Sequence, residues 1–160
     1  MANVNSAYGF AFRKNLAGGA HVMDRIRSVS NSAISIGDPL VNTAAAGGVK
    51  LAGATSTALF GVSLETITAT AATRKSVAYI PALPFYVFAA QHGGTLNLTA
   101  GYLGKRAGIQ GTTNGKISLN AAATTSVCQI VGLKGGSAWG TYAELLFIIC
   151  RSNYYGKITV

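Results

Sequence analysis

Few side chains in this sequence could do acid–base or nucleophilic chemistry. The 160 residues include only four carboxylates and two histidines, which are Asp24, Asp38, Glu65, Glu144, His21 and His92. His21 and Asp24 are near enough in sequence to form a general base with an orienting carboxylate. No serine or cysteine is tied to them by a recognisable motif, however, and an activated nucleophile needs such a partner. The sequence therefore predicts no catalytic residue and a protein that is not an enzyme.

The residues that could bind a metal or a cofactor do not have the required spacing. Cys128 and Cys150 form no Cys-x-x-Cys pair and no cluster with histidine. Each lies in an apolar run, which favours a small buried side chain, with a disulfide between the two last strands as the alternative. The segment Gly111–Lys116 has three residues between its glycines where a phosphate-binding loop needs four, and Ile117 replaces the required hydroxyl. The sequence predicts no metal site and no cofactor.

The charge balance indicates an acidic partner. Lys and Arg number 13 against 4 Asp and Glu, so the net charge is +9, although only 11% of the residues are charged. The bases occur as short scattered pairs that are not interleaved with aromatic residues, which argues against specific nucleic-acid binding. A surface rich in small residues is cheap to desolvate, so we favour contacts with an acidic protein surface.

Secondary-structure signals indicate a β protein. Helical periodicity is weak, Gly occurs 20 times, and short β-branched and aromatic runs recur about every ten residues between turn-forming residues. We predict a single all-β fold, a small antiparallel β-barrel or β-sandwich with an extended N-terminal arm. The predicted strands are Ala33–Ile36, Leu40–Asn42, Val49–Leu51, Leu59–Thr66, Ser76–Ile80, Tyr86–Ala90, Gly101–Ala107, Lys116–Leu119, Val127–Leu133 and Tyr142–Cys150. Hairpin-type turns are predicted at Gly37-Asp38-Pro39 and Asn114-Gly115.

The first residues differ from the remainder of the chain. We assign residues 1–32 to the arm and residues 33–160 to the β-barrel-like domain. Tyr8, Phe10 and Phe12 alternate with small residues in this arm. Alternating aromatics can pack as an edge strand on their own domain or insert into a groove of a neighbour, and the sequence leaves both possibilities open.

A series of short motifs resembles one protein family. In chain order the motifs are Met1-Ala-Asn-Val, Tyr8-Gly-Phe10, Ile36-Gly-Asp-Pro-Leu40, Leu59-Phe-Gly-Val62, Val77-Ala-Tyr-Ile-Pro81, Tyr86-Val-Phe88 with Gln91, and Gln129-Ile-Val-Gly-Leu133. Their order and spacing resemble the capsid decoration proteins of tailed bacteriophages, also called cement or head-stabilisation proteins. The match is to a family pattern and covers most of the chain, except that Arg151–Tyr155 departs from the expected polar tail.

The resemblance implies a structural role in the virion. A protein of this family lies on the capsid exterior, is made in the cytoplasm of the bacterial host, and bridges subunits of the major capsid protein. It is commonly a small homo-oligomer, and we favour a trimer over a dimer. No membrane contact is expected. The capsid-binding residues implied for the arm are three apolar anchors and four cations, namely Tyr8, Phe10, Phe12, Arg13, Lys14, Arg25 and Arg27.

Three other functions are compatible with the sequence. The first is a tail or fibre component, and the second is a carbohydrate-binding β-sandwich that stacks sugars on aromatic rings such as Trp139, Tyr102, Tyr154 and Tyr155. A nucleic-acid-binding barrel is the third, and it predicts retention on DNA that falls steeply with added salt.

Overall fold

The computed structural model describes residues 3, 8–29, 31–43, 47–70, 72–93, 95–111, 118–121 and 126–152. This part of the chain forms thirteen β-strands and one turn of 3₁₀ helix at Ala100–Tyr102. The strands are β1 (Ala11–Asn15), β2 (Asp24–Arg27), β3 (Ala33–Ile34), β4 (Pro39–Thr43), β5 (Gly48–Leu51), β6 (Gly61–Ser63), β7 (Ile67–Thr68), β8 (Ser76–Pro81), β9 (Tyr86–Gln91), β10 (Arg106–Gln110), β11 (Ser118–Asn120), β12 (Cys128–Leu133) and β13 (Glu144–Ile149). The predicted all-β class is confirmed.

The larger sheet contains six antiparallel strands in the order β1-β9-β13-β12-β10-β11. Its far strand curls back toward β9, because His92 and Leu119 form a parallel bridge. The Gly93 N–H donates to the Leu119 carbonyl at 2.9 Å and extends this closure. The sheet is therefore barrel-like over the strands from β9 to β11.

The second sheet contains five antiparallel strands in the order β2-β8-β6-β4-β5. It curls in the same way, because Ser28 bridges Val49 and the Val29 N–H donates to the Val49 carbonyl at 2.9 Å. Strands β3 and β7 form a separate two-stranded ladder. Among the described residues, no helix is long and apolar enough to cross a membrane.

Two apolar cores hold the sheets together. The larger core includes Phe88 and Phe147 from the six-stranded sheet and Val62 from the second sheet. The smaller core includes Leu40 and Tyr79. The second sheet thus contributes to both cores. Strands that are buried on both faces have nearly continuous apolar sequences rather than alternating ones.

The predicted turn at Gly37-Asp38-Pro39 is present and contacts the N-terminal segment. The Phe10 N–H donates to the Gly37 carbonyl at 2.7 Å. Gly9 and Gly37 both have positive φ, at 79° and 82°, and a Cβ atom on Gly9 would lie 2.7 Å from the Gly37 oxygen. Glycine is needed at both positions because the two backbones pass within contact distance. The second predicted turn, Asn114-Gly115, lies outside the described residues.

The predicted N-terminal arm requires correction. Strand β1 pairs with β9 and strand β2 pairs with β8, so each is a member of one of the two sheets. Residues 8–29 are therefore part of the domain, and the boundary between residues 1–32 and 33–160 is wrong for this segment. The edge-strand interpretation of the alternating aromatics is the correct one, because strand pairing places every second side chain against the core.

One predicted strand is also shifted. Gly101–Ala107 was expected to be extended, but the 3₁₀ turn occupies its start and β10 begins only at Arg106. Gly101 and Gly104 give this segment two flexible positions, and Gly104 has a φ of 80° that interrupts an extended backbone.

Candidate docking surface

The side chains that could do chemistry contact other residues of the fold. His21 packs against Phe12 with ring centroids 4.6 Å apart, whereas the Asp24 carboxylate accepts hydrogen bonds from the Arg25 N–H at 2.7 Å and the Tyr79 hydroxyl at 3.3 Å. His92 is fully buried, with its Nδ1 3.2 Å from the Leu119 carbonyl, and burial lowers its pKa. In the described part of the chain, no three His, Cys, Asp or Glu residues are grouped to hold a metal ion.

The two cysteines are free thiols. Cys128 lies opposite Ile149 in the β12–β13 ladder, so Cys150 follows on the other face of the sheet. Burial raises the pKa of the Cys128 thiol. The disulfide alternative is therefore wrong, and Cys128 is the small buried residue that its apolar neighbours predict.

All four carboxylates have partners within the chain. Glu65 binds the Arg25 guanidinium through both oxygens at 2.7 and 2.9 Å. The Lys134 ammonium binds both oxygens of Glu144 at 2.8 and 2.9 Å. The buried Asp38 carboxylate accepts a hydrogen bond from the Ser35 N–H at 2.7 Å. The fourth carboxylate, Asp24, has the hydrogen bonds to Arg25 and Tyr79 described above.

The pKa values of two of these carboxyl groups reflect the pairing. The Arg25 guanidinium lowers the pKa of Glu65, and the Lys134 ammonium lowers the pKa of Glu144. Both groups are therefore charged at neutral pH but neutralised locally by their partners. The acidic side chains are thus committed to internal contacts, whereas in the described part of the chain Arg25 and Lys134 are the basic residues that form salt bridges.

The three predicted aromatic anchors are largely used by the fold. Phe10 is only 2% exposed and packs edge-on against Phe147 with centroids 4.7 Å apart. Phe12 is partly buried and packs edge-on against Tyr86 at 5.4 Å. Tyr8 is partly buried under the Lys134 ammonium, 5.2 Å from its ring centroid. Phe10 as a partner-binding anchor is corrected, since a core residue cannot contact another protein.

Burial also affects the Tyr8 hydroxyl. Burial, together with the nearby Glu144 carboxylate, raises its pKa to about 12. The hydroxyl therefore stays protonated at physiological pH.

The four predicted cations differ in their environments. Arg25 is held by Glu65, and Arg13 is exposed beside Tyr8. Lys14 and Arg27 are exposed and have no salt bridge among the described residues. Of the predicted set, these last two have charges that are available to a partner.

The largest group of exposed apolar side chains lies beside β1. We define the corner patch as Leu16, Val22, Met23 and Phe85, which are 57%, 54%, 64% and 37% exposed. The Leu16 N–H donates to the Phe85 carbonyl at 2.8 Å, and the Val22 N–H donates to the Tyr86 hydroxyl at 2.7 Å. The Phe85 and Tyr86 rings are in contact, with centroids 5.0 Å apart. These contacts bring the β1–β2 loop and the β8–β9 turn into one surface.

The Asn15 side chain, at the end of β1, binds the backbone of the loop that carries the corner patch. The Asn15 Oδ1 accepts a hydrogen bond from the Ala17 N–H at 2.9 Å, and the Asn15 Nδ2 donates to the Gly18 carbonyl. Gly18 and Gly19 supply the positive φ that the turn needs, at 83° and 77°. The patch is thus presented on an ordered loop, which lowers the entropy that is lost on binding.

Sequence reasoning missed the corner patch. Leu16, Val22 and Met23 lie in a glycine-containing loop, where no period of two or 3.6 residues marks a buried face. The available signal was large apolar residues in a segment that predicted no strand. Strand β1 is itself protected as an edge, because its register shifts between Phe12 and Lys14 and its outer positions include Arg13.

Comparison with known proteins adds no family assignment. No protein-family model matches this chain, and no curated protein matches it.

Proposed function

We propose that this chain is a non-enzymatic structural virion protein that binds the outer surface of a capsid and stabilises the shell by bridging subunits of the major capsid protein. The observation that carries the proposal is the corner patch, an ordered group of exposed apolar side chains on a protein whose carboxylates all have internal partners. The sequence resemblance to capsid decoration proteins supports the same role.

The corner patch has the composition of a protein-binding surface. A contiguous exposed apolar group on a small domain marks an interaction site more often than scattered residues do. Lys14 precedes Leu16 by two residues, whereas Arg27 lies at the far end of β2, about 13 Å along the strand from Met23. An apolar centre with a cation at its edge suits a partner that has an apolar recess and a carboxylate beside it.

Binding through such a surface would stabilise a shell by mass action. A ligand that binds the assembled lattice and not the dissociated subunits lowers the free energy of the lattice at every site. Many copies act together on one particle, so a modest contact per copy suffices.

The proposed partners include the chain itself as well as the major capsid protein. We retain a homo-oligomer, with a trimer favoured over a dimer, as part of the proposal. The corner patch is not its interface, because two copies would bring together cations with no free carboxylate to oppose them. Sedimentation equilibrium of the wild type and a Val22→Ser/Met23→Ser variant should give the same oligomeric mass.

The docking role is tested with undecorated, expanded capsids assembled from the major capsid protein that is encoded with this chain. Purified wild-type protein should cosediment with these capsids and saturate. The variant Val22→Ser/Met23→Ser should bind at least about tenfold more weakly, since burying one large apolar side chain is worth about 1.5–3 kcal/mol.

The matched control is Ile36→Ser. Ile36 is 61% exposed but lies outside the corner patch, so this variant should bind like the wild type. Wild-type protein that fails to cosediment would contradict the proposal. Binding to tail structures, to a glycan array or to DNA in a strongly salt-dependent manner would favour the alternative functions.

A further inference from the structure

A second group of exposed apolar side chains lies near the other end of the six-stranded sheet. We define the sheet-end patch as Leu103 and Val131, which are 56% and 41% exposed. The Gly104 N–H donates to the Ile130 carbonyl at 2.8 Å, so the residues that flank this hydrogen bond are neighbours. Among the described residues, seven large apolar side chains are exposed, and all except Ile36 belong to the corner patch or the sheet-end patch.

Cations accompany the sheet-end patch as they do the corner patch. Lys105 and Arg106 are exposed and follow Leu103 closely in sequence. The Lys105 ammonium lies 4.7 Å from the centroid of the Tyr102 ring, which is packed against the larger core. Neither cation has a salt bridge in the described ranges.

The two patches are at a fixed separation. The strand registers place five residues in one row across the sheet, in the order Lys14, Val87, Ile148, Gln129 and Arg106. Adjacent strands are about 4.8 Å apart, so the path across the sheet between the two end residues is roughly 19 Å, and the straight distance is shorter because the sheet curls. Hydrogen-bonded strands connect the two ends, so the patches are held on one rigid body.

We propose that the sheet-end patch is a second docking surface, and that it binds the same kind of protein surface as the corner patch, an apolar site flanked by carboxylates. This inference rests on the proposed function and extends it, because two docking surfaces on one copy let each copy bridge two subunits by itself. A second copy of this chain is excluded as the occupant by its charge, since its four carboxylates are already bound internally.

Two surfaces on a rigid body make the binding bivalent. Once one patch is bound, the second meets its target at a high effective concentration, which strengthens overall binding by about 10²–10⁴-fold. The same geometry lets one copy transfer load between two capsid subunits, which a single patch on one copy cannot do.

The test compares three variants on the expanded capsids described above. The first is Leu103→Gln/Val131→Thr, which keeps side-chain length and β-branching while removing apolar surface. The second is Val22→Ser/Met23→Ser, and Ile36→Ser is the control. Circular dichroism and thermal unfolding verify that each variant is folded. The readouts are the dissociation constant for capsids and the temperature at which saturated shells dissociate.

We expect the sheet-end variant to bind roughly 100-fold more weakly than the wild type and still to saturate the capsids at high concentration. Shells saturated with it should dissociate at a lower temperature than shells saturated with the wild type, because each copy keeps only one of its two docking surfaces. Wild-type affinity with wild-type protection would overturn the second docking surface and leave the proposed function intact. Absence of wild-type binding would overturn both, and loss of all binding by the sheet-end variant would contradict a separate corner site.

Discussion

The two halves of the segment from residue 8 to residue 23 are used in opposite ways. Residues 8–15 are built into the fold, where Gly9 contacts Gly37 and Phe10 lies in the larger core. Residues 16–23 form an ordered loop in which Val22 and Met23 are more than half exposed. The difference shows that alternating aromatics on a strand indicate burial, whereas large apolar residues on a loop indicate a contact surface.

Removing the ring of Phe10 should have the largest effect and should act on the fold. We expect Phe10→Ala to lower the free energy of unfolding by about 3–5 kcal/mol, because a buried aromatic leaves a cavity. Urea unfolding measures this loss. Phe10→Ala that kept full stability but lost capsid binding would reverse the assignment of the two halves.

A methyl group on Gly9 should have the next largest effect. Gly9→Ala places a Cβ against the Gly37 carbonyl and strains a positive φ, so we expect a loss of about 1–3 kcal/mol. The matched control is Gly18→Ala, since Gly18 has a similar φ but a Cβ added there would meet no atom within 4 Å. Gly9→Ala should therefore lose more stability than Gly18→Ala, and the difference measures the cost of the contact with Gly37. Equal losses of stability in thermal unfolding would show that this contact contributes nothing.

Acid should weaken the framework through His92, which lies at the end of β9 opposite the corner patch. Burial lowers the pKa of His92 below its ordinary 6.5, so the unfolded chain takes up the proton first as the pH falls. The stability that depends on a neutral His92 is complete above pH 6.5 and decreases below it. Urea unfolding at pH 7.5 and 5.5 should show this decrease.

The matched variant for this experiment is His92→Asn, which can donate to the Leu119 carbonyl but does not titrate. It should lose less stability than the wild type between the two pH values. An equal loss in both proteins would show that His92 is not the source of the acid sensitivity.

The smallest effects should distinguish the predicted cations. Arg25→Gln removes the salt bridge to Glu65 and should lower the melting temperature slightly, because exposed ion pairs contribute little. Lys14→Gln should leave the melting temperature unchanged but slow association with capsids, most clearly at low salt. Stopped-flow association at two salt concentrations tests this difference. If the two variants had the same melting temperature and the same association rate, Arg25 and Lys14 would not differ as a paired and an available charge.

Much of the fold could be predicted from the sequence because its strands are short and well separated. Val127–Leu133 and Tyr86–Ala90 are predicted close to their observed bounds, since β-branched and aromatic runs end at turn residues. The pairing of β1 with β9 could not be predicted, because long-range strand pairing leaves no local pattern. The burial of Phe10, which follows from this pairing, could therefore not be predicted either.

The candidate site was less predictable than the fold. Available and paired cations have the same sequence signature, so Lys14 and Arg25 could be told apart only by the position of Glu65 in the folded chain. The corner patch depends on two loops that are separated by about sixty residues in sequence and meet through the Leu16–Phe85 hydrogen bond. Spacing within either segment could not indicate that contact.

Cryo-electron microscopy of expanded capsids saturated with this protein tests the central claim most directly. We predict ordered density for the chain on the outer lattice, with Val22, Met23 and Phe85 in contact with a major capsid subunit and Phe10 enclosed in the chain's own core. Density on the outer lattice with the corner patch facing solvent, or no density on the lattice, would contradict the proposed docking role.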